Sequence, residues 1–249
     1  MKERIVREKS GIYKNLLVMR IGKMKICVPV CAQTRAAAVE AIREIRGTPA
    51  DLIEWRLDYF TEDILTAAPA VLEAAGELPL LCTFRTKAEG GEREIDPAAY
   101  FALNEALGAL GVPMLDLELA LCLAHEARAK QAIDALHARG AVLVLSSHDF
   151  EKTPPRDVLV ERYRQMEALG GDLPKIAVMP QSQRDVMVLL SAMTEASAAC
   201  GPLVGISMGE LGKLTRVRGG AFGSVMTFAS KGKASAPGQI DAETLASML

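Results

Sequence analysis

Residues 172–180 read Asp172-Leu173-Pro174-Lys175-Ile176-Ala177-Val178-Met179-Pro180, a short apolar segment bounded by prolines. This composition predicts a buried strand over residues 175–179 that carries one ammonium group. Burial disfavours the charged form of lysine and lowers its pKa, so a lysine here can act as a neutral amine that attacks a ketone and forms an imine. Lys175 is therefore the first candidate for a functional residue.

Segments of the same kind recur along the chain and alternate with alanine- and leucine-rich segments of helical periodicity. The predicted strands cover residues 26–31, 52–57, 80–84, 114–119, 142–146, 175–179, 203–207 and 224–228. The predicted helices include residues 35–45, 98–110, 125–138, 157–169 and 183–199. Eight strands with intervening helices in 249 residues are typical of a (β/α)8 TIM barrel. An open doubly wound sheet shares the alternation, but it often has a glycine-rich first turn, and none follows the first predicted strand.

Length and composition favour one domain. Half of the 249 residues are hydrophobic, which suffices for one substantial core, and we expect a single catalytic domain over residues 16–249. Residues 1–15 form a polar leader that we expect to be disordered, and residues 16–21 are expected to form a β-hairpin that closes the barrel floor. The leader is too charged for a signal peptide, and no apolar run is long enough to span a bilayer, which predicts a cytoplasmic protein.

Charge and cysteine content exclude several other classes of function. The formal net charge is −2 and basic residues are scattered, which predicts no nucleic-acid or membrane partner and favours a small-molecule substrate. The cysteines lie mostly in apolar stretches and lack the spacing of a disulfide framework or a zinc site, so we expect buried free thiols and no metal. They are Cys27, Cys31, Cys82, Cys122 and Cys200.

Polar residues follow the predicted strands at their carboxyl ends, where barrels of this kind carry their chemistry. The candidates are Glu54, Arg56, Arg85, Glu89, Asp116, Glu118, His148, Lys175, Ser207, Met208 and Arg216. The small residues of 229–239 suit a mobile lid over a ligand. Of the three histidines, His125 and His137 fall on a predicted helix and are expected to be exposed, so only His148 is placed to exchange protons with a substrate.

Each candidate also has a purely structural interpretation. Glu54, Asp116 and Glu118 are equally compatible with an ion-pair layer that braces the barrel, and His148 with a hydrogen-bonded core histidine. The glycine pairs at 90–91 and 219–220 lack a complete phosphate-binding spacing and are interpreted as turns.

Six strings in order resemble the type I 3-dehydroquinate dehydratase family over about residue 26 to the C-terminus. They are Glu54-Trp55-Arg56-Leu57-Asp58; Thr83-Phe84-Arg85 with Glu89-Gly90-Gly91; Asp116-Leu117-Glu118; Ser147-His148-Asp149-Phe150; Pro174 to Pro180; and Ser235-Ala236-Pro237-Gly238-Gln239. The resemblance implies a (β/α)8 barrel, commonly a homodimer. It also implies the third step of the shikimate pathway, dehydration of 3-dehydroquinate to 3-dehydroshikimate, without metal or organic cofactor.

Carried over by position, the resemblance implies that Lys175 forms the imine, that His148 is the general base and acid, and that Glu89 orients and tunes the histidine. Arg216 resembles the residue that binds the substrate carboxylate. The remaining implied substrate contacts are Glu54, Arg56, Arg85, Ser235, Ala236 and Gln239, with apolar walls from Met208 and Phe228. The chain departs from some members at Pro29, where they have a substrate-contacting serine, and in keeping one methionine at 208 where they have two.

Two other functions stay open on sequence. A metal-independent aldolase would also use a lysine imine, but a phosphorylated substrate calls for glycines and backbone amides after strands seven and eight, where Glu210 is poorly placed. A catalytically silent homologue that binds a quinate-like ligand is expected to lack Lys175 or His148, and both are present.

Overall fold

The computed structural model describes residues 24–232 and 235–249. Strands alternate with helices throughout this part of the chain. The strands are β1 (Lys25–Val30), β2 (Leu52–Arg56), β3 (Leu80–Thr83), β4 (Met114–Glu118), β5 (Val142–Asp149), β6 (Leu173–Val178), β7 (Val204–Ser207), β8 (Met226–Ser230) and the short β9 (Ile240–Asp241). The expected leader and floor hairpin, residues 1–15 and 16–21, lie outside the described residues.

The strands form a closed parallel ring. From β1 to β7 each strand pairs in parallel with the next, and β1 also pairs with β8. Between β7 and β8 the ring closes through one bridge, Leu203 to Ser224, where the Val225 amide donates to the Leu203 carbonyl at 2.9 Å. β9 pairs with the end of β8 outside the ring. The prediction of a (β/α)8 barrel is confirmed.

Helices cover the outside of the ring. They are α1 (Arg35–Ile45), α2 (Ile64–Ala75), α3 (Pro97–Ala109), α4 (Leu119–Ala124), α5 (Glu126–Ala138), α6 (Arg156–Ala168), α7 (Gln183–Cys200), α8 (Lys213–Arg218) and α9 (Ala242–Met248). Thr34, Asp63, Asp96 and Ser182 cap α1, α2, α3 and α7 by accepting hydrogen bonds from first-turn amides. Of these four helices, α1 and α7 begin at the predicted residue and α3 begins one residue earlier. The prediction of one helix over 125–138 missed α4, which ends at Ala124, directly before His125.

Three predicted strands have wrong bounds near the site. The strand predicted over residues 224–228 is β8, which runs from Met226 to Ser230. β6 begins at Leu173, so Pro174 lies inside the strand, because its fixed φ suits extended backbone and it lacks only the amide donor. β5 continues past Ser146 to Asp149, because its ladder with β6 extends that far. Ser146 therefore pairs with Lys175, and His148 pairs with Ala177 one step nearer the mouth.

Two apolar cores flank the strands. The larger lies between strands and helices and contains Trp55, Tyr100 and Tyr163. The smaller fills the barrel interior; its members are Cys27, Leu52, Leu81, Met114, Val142, Val144, Leu173, Ala177, Val204, Ile206, Met208, Val225, Met226 and Phe228. Inward positions two residues further along β2, β3, β4 and β6 carry polar side chains instead, so the barrel interior becomes polar towards the carboxyl ends of those strands.

The cysteines and histidines mostly match their predicted environments. All five cysteines are free thiols and four are buried, with Cys31 partly exposed. His125 is exposed as predicted, but His137 is half-buried because its Nε2 lies 3.0 Å from an Asp172 carboxylate oxygen.

Candidate active site

One pocket opens at the carboxyl ends of the barrel strands. Together with the open space at its mouth it encloses about 540 Å³, and sixteen residues line it. Twelve of these are the residues singled out from the sequence: Lys175, His148, Glu89, Glu54, Arg56, Arg85, Arg216, Ser235, Ala236, Gln239, Met208 and Phe228. The structure thus brings all of them together, and their individual roles stay predictions.

Four lining residues were missed by sequence reasoning: Gly90, Phe150, Ala177 and Ile206. Period-two alternation was enough to find two of them, because Ala177 follows Lys175 by two positions and Ile206 precedes Met208 by two. Phe150 packs against Gly90, where an added Cβ would lie 2.4 Å from its ring, and Gly90 has a left-handed φ of 83°. This contact depends on two loops meeting in space, which no local pattern reveals.

Lys175 lies deep in the pocket with 5 % of its surface exposed. Its Nζ lies 4.2 Å from the centre of the Phe228 ring, and among the described residues it forms no ion pair with a carboxylate. Burial lowers its pKa, helped by the Arg85 guanidinium and opposed by the carboxylates of Glu54 and Asp116. The site therefore favours a neutral amine while keeping negative charge nearby.

His148 is held by Glu89. The Oε2 of Glu89 lies 3.0 Å from the His148 backbone amide and 2.9 Å from Nδ1. Because Oε2 accepts the amide hydrogen bond, it is an acceptor whether or not Glu89 carries a proton on its other oxygen, so the imidazole proton lies on Nδ1 and Nε2 keeps a lone pair. Burial lowers the pKa of His148, with further lowering from Arg85, Lys175 and Arg56, so the ring is a neutral base.

Arg85 joins three carboxylates beneath the pocket. Its Nη1 donates to Glu118 at 2.9 Å, to Ser146 at 3.0 Å and weakly to Glu89 at 3.4 Å, and its Nη2 donates to Asp116 at 2.8 Å. One guanidinium does not neutralise three buried acids. Burial raises the pKa of Glu89 to about 8, aided by the Glu118 and Asp116 carboxylates. This side of the pocket therefore has a high affinity for a proton.

Arg216 has different surroundings. Its Nη1 donates to the Phe228 carbonyl at 3.2 Å and its Nη2 to the Pro237 carbonyl at 2.9 Å, while Nε is buried and has no partner among the described residues. No carboxylate pairs with it in the described ranges, and burial lowers its pKa to about 10. A buried guanidinium of this kind is incomplete without an anion.

Arg56 is fixed by a residue that sequence reasoning did not assign. Asp58 accepts from Arg56 Nε at 2.8 Å and from Nη2 at 2.7 Å, a bidentate geometry. Asp58 also accepts from the Glu92 amide at 3.1 Å and so ties the segment after β2 to the segment after β3. Glu54, which also lines the pocket, accepts from the Thr83 hydroxyl at 2.9 Å through Oε1.

The segment 235–239 covers the pocket mouth. Within it the Ser235 amide donates to Gln239 Oε1 at 2.8 Å. Its Pro237 carbonyl accepts from both Arg216 and the Gly209 amide, the latter at 3.2 Å, which joins the segment to the loop after β7. The predicted lid spans residues 229–239; residues 229–230 are the end of β8, and residues 233–234 lie outside the described residues.

The described residues contain neither a cluster suited to a metal ion nor a helix suited to crossing a membrane. No group of three or more His, Cys, Asp or Glu in residues 24–232 and 235–249 is arranged to hold a metal ion. In the same ranges no helix has the length and apolar character that crossing a membrane requires.

Comparison with known proteins agrees with this geometry. The family model of type I 3-dehydroquinase matches residues 26–249. A 3-dehydroquinate dehydratase of Klebsiella pneumoniae is 44 % identical over 227 residues, covering 88 % of this chain and 89 % of the relative. One from Syntrophotalea carbinolica is 42 % identical and covers 94 % of each chain. The crystal structure of the type I enzyme from Clostridium difficile is 35 % identical with a TM-score of 0.86, covering 91 % of both chains. The chain belongs to the type I 3-dehydroquinase family.

Proposed function

We propose that this protein converts 3-dehydroquinate to 3-dehydroshikimate by forming an imine between Lys175 and the substrate ketone. One observation carries the proposal: a buried lysine without a carboxylate ion pair among the described residues lies on the strand next to the histidine that Glu89 holds as a neutral base. Family membership supports the reaction, and the geometry supports the roles of these residues.

The neutral amine begins the reaction. Its lone pair attacks the ketone carbon, and the resulting carbinolamine takes up one proton from solvent and loses the ketone oxygen as water, which leaves a protonated imine. This cation withdraws electrons from the neighbouring carbon and makes its C2 proton far more acidic. Only an uncharged lysine can attack, and burial of Lys175 provides that form by lowering its pKa.

His148 moves the protons. Nε2 of the neutral ring takes the C2 proton, the electron pair enters the imine as an enamine, and the ring then returns the proton to the C1 hydroxyl as it leaves as water. Glu89 keeps the ring in the required tautomer through its contact with Nδ1. Hydrolysis of the product imine frees Lys175 and releases the enone.

The rest of the pocket fits the remaining groups of the substrate. Arg216, without an acid partner in the described part of the chain, binds the carboxylate of 3-dehydroquinate. Glu54, Arg56, Arg85 and Gln239 bind ring hydroxyls, Ser235 and Ala236 close over the ligand, and Met208 and Phe228 form apolar walls. The proposal includes a cytoplasmic homodimer that works without metal or cofactor in the shikimate pathway.

The loop after β7 argues against a phosphorylated substrate. The Gly209 amide, which would help to hold a phosphate, donates instead to Pro237, and Glu210 in the same loop is exposed and pairs with Lys213. An aldolase acting on a sugar phosphate therefore has less support than the dehydratase.

The decisive experiment is borohydride reduction in the presence of 3-dehydroquinate, followed by mass spectrometry and peptide mapping. We expect a stable adduct on Lys175 in the wild-type protein and none in Lys175→Met. Lys213→Met is the matched control, because it removes an exposed lysine that pairs only with Glu210.

Two other results would contradict the proposal. Absence of both an adduct and a rise in enone absorbance would remove the dehydratase function. Thermal stabilisation by quinate without turnover would indicate a silent binding protein instead.

A further inference from the structure

Asp116 lies beside the reaction but outside the pocket lining. It shares the inward face of β4 with Met114 and Glu118 and is fully buried. Its Oδ1 accepts from Arg85 at 2.8 Å and from the Ser146 hydroxyl at 2.8 Å. Because it is not among the pocket residues, it has no direct contact to offer a substrate.

Its second oxygen is the unusual feature. Oδ2 of Asp116 is buried and has no hydrogen-bond partner among the described residues. A buried carboxylate oxygen without a hydrogen bond lowers stability, and binding of Arg85 through Oδ1 does not explain why Oδ2 is left unpaired. Ser146, which donates to Asp116, pairs with Lys175 in the ladder between β5 and β6, so this acid lies close to the lysine.

The charged groups around Lys175 come from five strands. Counted as titratable groups, charged or neutral, they are Cys27 on β1, Glu54 on β2, Arg85 directly after β3, Asp116 on β4 and His148 on β5. Only Glu54 and Asp116 are acids. Glu54 lines the pocket and is proposed to bind substrate, whereas Asp116 does not line the pocket and has no proposed contact with the substrate.

We propose that Asp116 is a positioning residue whose carboxylate stabilises the cationic imine of Lys175. The inference rests on the proposed function. A neutral amine, a ketone and one proton from solvent give a protonated imine and water, so a positive charge appears where none was present. A fixed anion stabilises that cation more than it stabilises the uncharged amine that precedes it, so it favours formation of the imine.

Asp116→Asn tests this directly. Asparagine keeps an oxygen for Arg85 and Ser146 but removes the charge. The protonated imine loses its proton as pH rises, so without the anion it should be lost at lower pH. We expect the alkaline decline of the borohydride-trapped adduct to move down by about one pH unit, with about a tenfold lower adduct yield on that limb. A loss of folded protein would instead lower the yield equally at every pH.

Glu118→Gln is the matched control. It removes the same charge from the same strand face, but Glu118 is held by Arg85, by the Thr86 amide at 2.8 Å and by the Thr86 hydroxyl at 2.7 Å, and it is not among the charges acting on Lys175. In Glu118→Gln the adduct yield should decline over the same alkaline pH range as in the wild type. If Asp116→Asn does not fold, Asp116→Ser makes the same test with a smaller acceptor.

The outcomes separate the two proposals. If wild type and Asp116→Asn both form the adduct and its yield declines over the same alkaline pH range in both, the proposed role of Asp116 is wrong. The proposed dehydratase activity is unaffected by that result. An equal shift in Glu118→Gln overturns it too, because the effect would then be general to the acid cluster. Absence of an adduct in the wild-type protein would contradict the imine mechanism itself.

Discussion

Two arginines in one pocket have opposite surroundings. Arg85, on the β3 side, contacts Glu89, Asp116 and Glu118, whereas Arg216, on the β7–β8 side, has two backbone carbonyls as its acceptors in the part of the chain that the structure describes. The first side has more acid than base and retains protons. The second has a cation without an acid among the described residues. The difference indicates a division of labour, with proton transfer on the acidic side and anion binding on the other.

The division predicts that substitutions on the acidic side of the pocket lower kcat. Replacing His148, which Glu89 holds, with asparagine removes the base but keeps a polar side chain of moderate size. We expect kcat to fall by about 10²–10⁴-fold, the usual contribution of general acid–base catalysis, with little change in KM. Steady-state kinetics with 3-dehydroquinate measures both. A rise in KM at unchanged kcat would place the proton chemistry elsewhere.

Stability should separate the two arginines. Arg85→Met leaves three buried acids without their shared cation, which we expect to lower the free energy of unfolding by about 3–5 kcal/mol. Arg216→Met removes a buried cation that has no acid partner in the described ranges, so its effect should be under about 1 kcal/mol. Urea unfolding without ligand compares the two. Equal losses would show that both arginines are mainly structural.

Arg216→Met should act on substrate binding instead. Loss of a buried charge-assisted contact costs about 2–5 kcal/mol, so we expect KM to rise by roughly 30-fold or more while kcat changes less. Arg216→Lys keeps the charge but loses the fork geometry, and its KM should fall between those of wild type and Arg216→Met. A decrease confined to kcat would argue that Arg216 does not hold the carboxylate.

The raised pKa of Glu89 has a consequence for stability. The folded protein holds this proton up to about pH 8, whereas the unfolded chain releases it near the ordinary glutamate pKa of about 4.3. Stability from this group is therefore complete below that lower pKa and is lost as pH rises towards the folded value. Because Gln stays uncharged, Glu89→Gln should gain about 1–3 kcal/mol relative to wild type between about pH 5 and pH 8.5.

Urea unfolding at both pH values measures this difference. Glu105→Gln is a suitable control, since Glu105 is a partly exposed acid that pairs with Arg128 far from the pocket. The same pH dependence in both variants would mean that Glu89 is ionised in the folded protein.

The barrel followed from the sequence because its signals are local. Strand alternation placed Glu54 and Arg56 on one face, and the structure has both in the pocket. Features that depend on distant segments did not follow. The bond from the Glu92 amide to Asp58, the sharing of Arg85 by three acids and the absence of an acid beside Arg216 in the described residues arise only when separate strand ends meet. The start of β6 was mispredicted at Pro174 for another reason. A proline interrupts a strand only where its backbone amide would have to donate a hydrogen bond to the neighbouring strand.

The smallest effect concerns the segment 235–239, which bridges the two sides. Gly238 has a left-handed φ of 73°, and an added Cβ would lie 2.4 Å from the Gly209 carbonyl oxygen. Gly232 has nearly the same φ, 72°, but an added Cβ meets nothing within 4 Å. The two alanine variants therefore share the backbone strain, about 1 kcal/mol or somewhat more, and differ only in the contact with Gly209.

If closure of this segment helps Arg216 to hold the substrate, Gly238→Ala should raise KM by up to about tenfold, since the clash opposes the bond from Arg216 to Pro237. Gly232→Ala should leave KM near the wild-type value. Gly238→Ala should also unfold at a somewhat lower urea concentration than Gly232→Ala, because only the first variant places a Cβ against the Gly209 carbonyl oxygen. Equal KM values in the two variants would mean that the segment carries no binding energy, and the cationic side of the pocket would then bind its anion through Arg216 without help from the segment above it.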